Sequence, residues 1–197
     1  MTDTAPTLSH HFVAFLDLLG FATMVEDAAE RHGQGRSSLL RLREVHEQTR
    51  ARFERMQGYT LFQFSDSIVV ARRFERHLLQ EFLSVVADYQ RSLLERRLLC
   101  RGGIAYGKHF VDGTFLFSAG LIAAYRLEQA VARYPRVVVS SDLLSLVAAS
   151  PADLAGLPLL KEDDGVAFVD FLRGADAEAI RPVIVSLLTL IRHSFLG

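Results

Sequence analysis

An aspartate within an apolar strand is the sequence feature that most limits how this chain can fold. The run His11–Leu19 has the composition of a central β-strand, Gly20 ends it, and Asp17 interrupts it within the segment FLDLLGF. An ionised carboxylate in such a strand costs several kcal/mol unless something compensates its charge. A bound metal ion is one common compensation, so Asp17 is a candidate metal ligand.

Length and hydrophobic content predict one domain. The chain has 197 residues, 50% of them hydrophobic, which is enough for a packed core without disulfides or structural metals. We expect a single domain over residues 1–197, with residues 1–10 as a loose lead-in. Its one cysteine, Cys100, excludes an internal disulfide and fits a reducing compartment.

Charge and hydropathy argue against two classes of partner. Lys and Arg number 22 against 23 Asp and Glu, so the net charge of -1 gives no basic field for binding duplex nucleic acid. No apolar run approaches the roughly 18 to 20 residues of a membrane span, and no signal peptide is evident. We therefore expect a cytoplasmic protein that binds neither nucleic acid nor membrane.

Strand-like and helix-like segments alternate along the chain. Periodicity and turn residues predict an α/β fold of the α+β sandwich type, with a mixed, mainly antiparallel central sheet and helices packed on it. The predicted helices are 21–31, 39–56, 74–98, 119–133, a short one capped by Ser141-Asp142, and 175–195. The predicted hairpins are 59–72, 99–117 as two arms (99–107 and 109–117) with an Asp112-Gly113 turn, and 157–172 around Glu162–Gly165, with a strand at 136–140.

A second aspartate stands in the first hairpin. Two β-rich arms of Tyr59–Arg72 meet at Ser65-Asp66-Ser67, which places Asp66 at or beside the turn. If this hairpin neighbours the first strand, the carboxylates of Asp17 and Asp66 converge, and paired carboxylates suit Mg²⁺ or Mn²⁺. Backbone amides of Leu18–Phe21 would add donors for a phosphate. The alternative is that Asp66 is an ordinary turn residue.

Five segments carry a resemblance to the class III nucleotide cyclase catalytic domain, which has a ferredoxin-like, palm-type fold. They occur in the order of that family's motifs and span about residues 12 to 172. The segments are FLDLLGF (15–21), FSDSIVV (64–70), CRGGIAYG (100–107), FSAGLIAAYRLEQA (117–130) and LLKEDDGVAFVDFL (159–172). Within that family, FSAGLIAAYRLE and the strand YPRVVVS (134–140) most resemble the bacterial pyrimidine cyclases of Pycsar antiphage defence.

The resemblance implies a set of site residues. Asp17, Asp66 and the backbone carbonyl of Leu18 match the ligands of two Mg²⁺ or Mn²⁺ ions, and Arg126 matches the arginine that stabilises charge on the α-phosphate. The phosphate-binding positions are Leu19, Gly20, Phe21 and Lys161. Without the resemblance, Arg126 is an ordinary solvated helix residue and Lys161 part of a charged turn. Arg101 is interpreted as structural.

Positions that select the base depart from the purine cyclases. Where those enzymes place polar residues against a purine, this chain has Phe62 and Phe115, and Ile122 replaces the asparagine that anchors the ribose. Aromatic walls favour stacking, and we assign Phe62 and Phe115 to a base pocket for a pyrimidine, UTP ahead of CTP. Ordinary core packing is the alternative for both side chains.

The resemblance also implies an assembly and a role. Class III active sites form across a head-to-tail homodimer, so we expect this chain to dimerise and to convert a nucleoside triphosphate into a 3′,5′-cyclic monophosphate that signals antiviral defence. The alternatives are a purine cyclase, an oligonucleotide synthase on the same scaffold, and a catalytically silent domain that binds a nucleotide or a protein.

Overall fold

The structure, a computed structural model, describes residues 7–30 and 36–195. Its strands are β1 Ser9–Leu18, β2 Tyr59–Phe64, β3 Ser67–Arg73, β4 Cys100–Asp112, β5 Phe115–Ser118, β6 Val137–Val139, β7 Leu159–Lys161 and β8 Ala167–Val169. Its helices are α1 Phe21–Glu30, α2 Arg36–Glu54, α3 Leu79–Glu95, α4 Ala119–Val131, α5 Ser141–Val147 and α6 Ala177–Phe195. The predicted lead-in at 1–10 and the predicted break at 33–38 fall partly outside the described residues.

One mixed sheet organises the molecule. Its strand order is β2-β3-β1-β4-β6-β8-β7. The short strand β5 is not part of this order and pairs only with β4, among the described strands. Among the described strands β4 and β6 are the parallel pair, and the other pairs are antiparallel. The predicted fold class, a mainly antiparallel mixed sheet with helices packed on it, is confirmed.

Both faces of the central strand are covered, which explains its continuous apolar run. Phe12 and Leu16 of β1 belong to the larger core cluster, together with Phe82 of α3. Val13 and Phe15 point to the opposite face, where they pack in a smaller cluster with residues that include Ala124 of α4. Because side chains alternate along a strand, Asp17 shares the α4 face with Val13 and Phe15. The candidate site therefore lies on the face of the sheet that α4 covers.

Strand β4 corrects a sequence prediction. The two arms predicted at 99–107 and 109–117 are instead one strand, Cys100–Asp112, followed by the short β5. Gly107 was predicted to end the first arm, yet it pairs with His11 inside the sheet. A β-carbon at Gly107 would lie 2.6 Å from the backbone nitrogen of Gly120, so this glycine permits close approach of α4 and does not break the strand.

Several element ends also differ from the prediction. β1 begins at Ser9, before the predicted His11, and α3 occupies Leu79–Glu95 within the predicted 74–98. The short helix α5 is capped by Ser140, whose Oγ accepts a hydrogen bond from the Leu143 amide at 3.0 Å. These are shifts of a few residues at ends, where fraying and caps decide the boundary.

Gly103 provides a test of how closely α4 packs on the sheet. A β-carbon at this position would clash with the backbone carbonyl oxygen of Ala124 in α4. We expect Gly103→Ala to lower the free energy of unfolding by about 2 kcal/mol, because α4 must shift away from β4. Urea unfolding followed by circular dichroism measures this. The control is Ala123→Ser, which adds one atom on the exposed side of the same helix, α4, and should change stability by about 0.5 kcal/mol or less; an equal loss at both positions would contradict the packing argument.

None of the helices in residues 7–30 and 36–195 combines the length and the apolar character that a membrane span requires.

Candidate functional site

Asp17 lies between polar partners on both neighbouring strands. In the sheet register it stands opposite Ser67 of β3 and Arg101 of β4. Ser67 Oγ donates a hydrogen bond of 3.2 Å to Asp17 Oδ1, and Arg101 Nε lies 3.9 Å from Asp17 Oδ2. The Asp17 side chain is 22% exposed. Its carboxylate is therefore partly buried, yet it retains access to solvent.

The first hairpin brings Asp66 to the same end of β1. Ser65 and Asp66 form a two-residue turn between β2 and β3, with Ser65 at a φ of 51°. The amide of Leu18 donates a hydrogen bond of 3.1 Å to the carbonyl oxygen of Asp66, which ties the turn to the residue after Asp17. The structure thus brings together the two aspartates that the sequence singled out.

The electrostatics of Asp17 show what the site lacks. Burial raises the pKa of Asp17, and the charge of Asp66 raises it further, while the Ser67 hydrogen bond lowers it. The net rise in pKa means that the Arg101 guanidinium, 3.9 Å from Asp17, does not offset burial and the neighbouring carboxylates. A divalent cation would supply the missing positive charge.

The donor set fits a hard cation that is only partly enclosed by protein. The described residues contain no group of three or more His, Cys, Asp or Glu side chains placed to hold a metal. Mg²⁺ commonly uses one or two carboxylates and takes its remaining ligands from water and substrate phosphates. Asp17, Asp66 and the Leu18 carbonyl offer oxygen donors of this kind.

The turn after β1 supplies fewer amides than the sequence suggested. The Leu18 amide binds Asp66, as above, and the Leu19 amide donates to the carbonyl oxygen of Leu99 at 2.8 Å. Leu19 was a predicted phosphate-binding position, and this correction follows from its amide being used inside the sheet. Gly20, at a φ of 75°, and Phe21, which begins α1, remain candidates.

A cleft of about 400 Å³ opens beside Asp17 on the α4 face. Its walls are Phe15, Asp17, Phe64, Ser67, Leu121, Ile122, Tyr125 and Gln129. Apolar and aromatic side chains form most of this wall, so the cleft can hold a flat ring beside the charged end of a ligand. Sequence reasoning had named Ile122 here but had missed Tyr125 and Gln129, which a helical wheel of α4 places one and two turns from Leu121.

Arg126 is not brought to the aspartates within one chain. It lies on α4, exposed, between cleft residues in sequence but not among the residues that line the cleft. Ser118 caps this helix by accepting a hydrogen bond from the Leu121 amide at 2.9 Å, and His109 contacts the same hydroxyl at 2.9 Å. Burial lowers the pKa of His109 to about 4, so this histidine is neutral at pH 7. Arg126 thus lies on a helix whose N-terminus is capped, and its side chain faces solvent.

Lys161 lies at the opposite edge of the sheet. It ends β7, four strands from β1, which at about 4.8 Å per strand places it roughly 19 Å away. Buried Arg136 forms ion pairs with Glu162 and Asp164 in the turn that follows Lys161, the latter at 2.7 Å. These pairs occupy the two carboxylates, and within the described residues Lys161 itself forms no ion pair.

The two predicted base-pocket residues lie apart from each other. Phe62 is half-buried against the smaller core cluster, with its ring centroid 6.0 Å from that of Phe64 in the cleft wall. Phe115 is exposed on β5, and its ring contacts Phe110 at a centroid distance of 6.4 Å. No ring contact joins Phe62 to Phe115 in the part of the chain that the structure describes. Their assignment to a base pocket stays a prediction.

An ion pair between buried Glu128 and partly exposed Arg101 was not predicted. Glu128 of α4 has a fully buried side chain and pairs with Arg101, the residue opposite Asp17. Gly120, Ala124 and Glu128 follow each other at intervals of four and are the buried residues of α4. That spacing is the signal that places Glu128 on the helix face toward the sheet.

Comparison with known proteins identifies the fold. No protein-family model and no curated protein matches this sequence. A bacterial light-regulated adenylyl cyclase superimposes with a TM-score of 0.58 at 13% identity, over 94% of this chain and 59% of that chain. The monomeric guanylyl cyclase domain of the RhoGC fusion protein from the aquatic fungus Blastocladiella emersonii gives 0.59 at 12% identity, over 84% and 98%.

A third similar structure is a class III adenylyl cyclase-like ATP-binding protein from Pseudomonas aeruginosa. Its TM-score is 0.60 at 10% identity, over 93% of this chain and 43% of that chain. The chain thus spans less than two thirds of the light-regulated and the Pseudomonas proteins. At these identities the likeness shows the fold, which is that of the class III cyclase domains, and a shared fold does not by itself assign an activity.

Proposed function

We propose that this protein is a metal-dependent nucleotide cyclase, which converts a nucleoside triphosphate into its 3′,5′-cyclic monophosphate and pyrophosphate. The observation that carries the proposal is the placement of Asp66 beside the partly buried Asp17, at the mouth of an aromatic cleft. The class III cyclase fold of the similar structures adds support, because both aspartates lie in segments whose sequences resemble that family's motifs.

Asp17, Asp66 and the Leu18 carbonyl would hold Mg²⁺ or Mn²⁺, two ions per site. When bound, such ions supply positive charge to the attacking oxygen and to the phosphate oxygens. The raised pKa of Asp17 fits this assignment, since Arg101 at 3.9 Å does not offset burial and the charge of Asp66.

The remaining residues act on the triphosphate. Cyclisation forms a bond from the 3′-oxygen to the α-phosphorus, breaks the bond to pyrophosphate and releases the hydroxyl proton. Arg126 would offset the charge that develops on the α-phosphate, and Lys161 would hold the pyrophosphate part. The amides of Gly20 and Phe21 would donate to phosphate oxygens.

The proposed substrate is a pyrimidine nucleotide, UTP ahead of CTP. By motif position, Phe62 and Phe115 match the residues with which purine cyclases hydrogen-bond the base, and neither side chain can hydrogen-bond a purine edge. The cleft beside Asp17 is lined by Phe64, Ile122 and Tyr125, which suits stacking of a small ring. A purine nucleotide is the second candidate, because the similar structures are described as adenylyl and guanylyl cyclases.

The proposed active unit is a head-to-tail homodimer. Lys161 lies four strands from β1, and Arg126 is exposed and does not line the cleft at Asp17, so we propose that a second copy brings both to the metal ligands. Large apolar side chains are exposed on the α4 face and on β5, as expected for a surface that a partner covers. They are Phe64, Phe115, Phe117, Ile122 and Tyr125.

The proposed role of the product is that of a second messenger in antiviral defence in the cytoplasm, by resemblance to the Pycsar cyclases. The alternative to an enzyme is a catalytically silent domain that binds a nucleotide. It is favoured by one similar structure, which is described as a cyclase-like ATP-binding protein.

The test is product formation from each of the four nucleoside triphosphates with Mn²⁺, read by mass spectrometry. We expect cUMP from UTP, with at least tenfold less product from ATP and GTP, because Phe62 and Phe115 replace, by motif position, the polar residues with which purine cyclases contact the base. Cyclic AMP or cyclic GMP as the main product would overturn the pyrimidine assignment. Binding of a nucleotide in calorimetry without any cyclic product would establish the silent domain instead.

A further inference from the structure

Arg101 lies between two carboxylates of unequal exposure. On one side it forms an ion pair with Glu128, whose side chain is fully buried beneath α4. On the other side its Nε is 3.9 Å from Oδ2 of Asp17, which is beyond hydrogen-bond distance. The second oxygen of Glu128 accepts a hydrogen bond of 2.6 Å from Gln129 Nε2. Glu128 is thus held by one hydrogen bond, from Gln129, and by an ion-pair contact with Arg101 that lacks hydrogen-bond geometry, and Asp17 is left with the longer contact to Arg101.

This division follows from burial. Burying a carboxylate completely without a cation costs far more free energy than burying it partly. Pairing the Arg101 guanidinium with Glu128 is therefore more favourable than pairing it with Asp17. Asp17 can instead be compensated by water or by a cation that enters from the cleft. If the charge of Glu128 were removed, the remaining carboxylate in contact with Arg101, within the described residues, would be Asp17.

A guanidinium paired directly with Asp17 would compete with a metal ion. A carboxylate that accepts a charged, two-pronged hydrogen bond from arginine has fewer free lone pairs, and the added positive charge repels a divalent cation. The register of β1 and β4 places Arg101 directly opposite Asp17, so this pairing needs a change of side-chain rotamer and no movement of the backbone.

We propose that Glu128 is a positioning residue that holds Arg101 away from Asp17 and thereby keeps the Asp17 carboxylate available to a divalent cation. The inference rests on the proposed metal site at Asp17. It adds a second condition for metal binding besides the ligands themselves. The charge of Arg101, the β4 residue opposite Asp17, must be neutralised by another group.

The test measures Mn²⁺ affinity directly, by electron paramagnetic resonance of free Mn²⁺ titrated with the full chain. We expect Glu128→Gln to weaken Mn²⁺ binding about tenfold, and the double variant Arg101→Met/Glu128→Gln to return within about threefold of wild type, because the competing cation is gone. The charge control is Glu44→Gln on α2, with a side chain that is 58% exposed, which should leave the affinity unchanged.

The outcomes separate the two proposals. Loss of Mn²⁺ binding in Asp17→Asn tests the metal site itself, and unchanged binding there would overturn the proposed function. With that result in place, wild-type affinity in Glu128→Gln, or a double variant as weak as the single one, overturns the role of Glu128.

Folding is covered by a second pair of variants. If Glu128→Gln does not fold, the comparison uses Glu128→Met, whose uncharged side chain needs no partner in the core, and the double variant Arg101→Met/Glu128→Met. The inference requires about a tenfold loss of Mn²⁺ affinity in Glu128→Met and a return to within about threefold of wild type in the double variant; wild-type affinity in Glu128→Met would overturn it.

Discussion

Asp17→Asn is expected to lower cyclase turnover about a thousandfold while the protein stays folded. The substitution keeps the size of the side chain and its ability to accept the Ser67 hydrogen bond, but removes the charge that would hold the metal. Stabilisation of transition-state charge by a metal is worth several kcal/mol, and about 4 kcal/mol corresponds to a factor of a thousand. Steady-state rates with saturating UTP and Mn²⁺ measure it; activity within tenfold of wild type would refute the metal assignment.

The same variant is expected to be more stable than wild type at pH 7 without divalent cations. Burial and the charge of Asp66 raise the pKa of Asp17 in the folded state, so between the unfolded and folded pKa values the folded protein binds more protons. Ionised Asp17 therefore lowers the free energy of unfolding above its folded pKa. The gain in Asp17→Asn should disappear as the pH falls below the unfolded value of 3.8.

Urea unfolding over a series of pH values, with a chelator present, checks this expectation. Asp153→Ala is the control of opposite sign, because hydrogen bonds from the Ser150 and Ala149 amides lower the pKa of Asp153. Its carboxylate contributes stability above the unfolded pKa, and that contribution is lost as the pH falls through the folded pKa. A stability gain for Asp17→Asn that is the same at all pH values would mean that its charge is not the cause.

The elements with strong local signals were predictable from the sequence. The first hairpin follows from two β-rich arms around Ser65-Asp66, and the structure contains it with those two residues as the turn. The fold class followed from the alternation of strands and helices, and it is confirmed. Local pattern suffices here because backbone conformation at these turns is decided by adjacent residues.

Features that depend on packing between distant segments were not predictable in the same way. Gly107 has the local appearance of a strand end, but its role is to admit Gly120 of α4. Leu19 has the appearance of a free amide before a helix, but the strand end at Leu99 takes its hydrogen bond. In both cases a partner far along the chain decides the outcome, and only the three-dimensional structure supplies it.

The distribution of the predicted site residues raises the question of how one active site is completed. Asp17 and Asp66 meet at one end of β1, whereas Lys161 lies four strands away and Arg126 faces solvent. The sequence motifs identify these four residues. The order of strands in the sheet decides which of them lie close together within one chain. This separation is what a site assembled from two subunits requires.

Mixing two inactive variants is expected to restore activity if the site is shared between subunits. Arg126→Ala should lower turnover at least a hundredfold, because a charge-stabilising donor at the α-phosphate is lost. In a dimer of Asp17→Asn with Arg126→Ala, one site combines intact metal ligands with an intact arginine and the other has neither. An equal mixture that exchanges subunits freely should therefore recover about a quarter of wild-type activity, since half of the dimers are mixed and each has one good site.

The matched control for that experiment is a mixture of Asp17→Asn with Asp66→Asn. Both residues belong to the metal-binding half of the site in one chain, so every site in every dimer keeps a defective metal pair, and no activity should return. Recovery in the first mixture but not in the second would assign Arg126 to the opposite subunit. No recovery in either, with subunit exchange verified by differently tagged chains, would mean that one chain completes its own site, and α4 would then have to move Arg126 toward Asp17 when substrate binds.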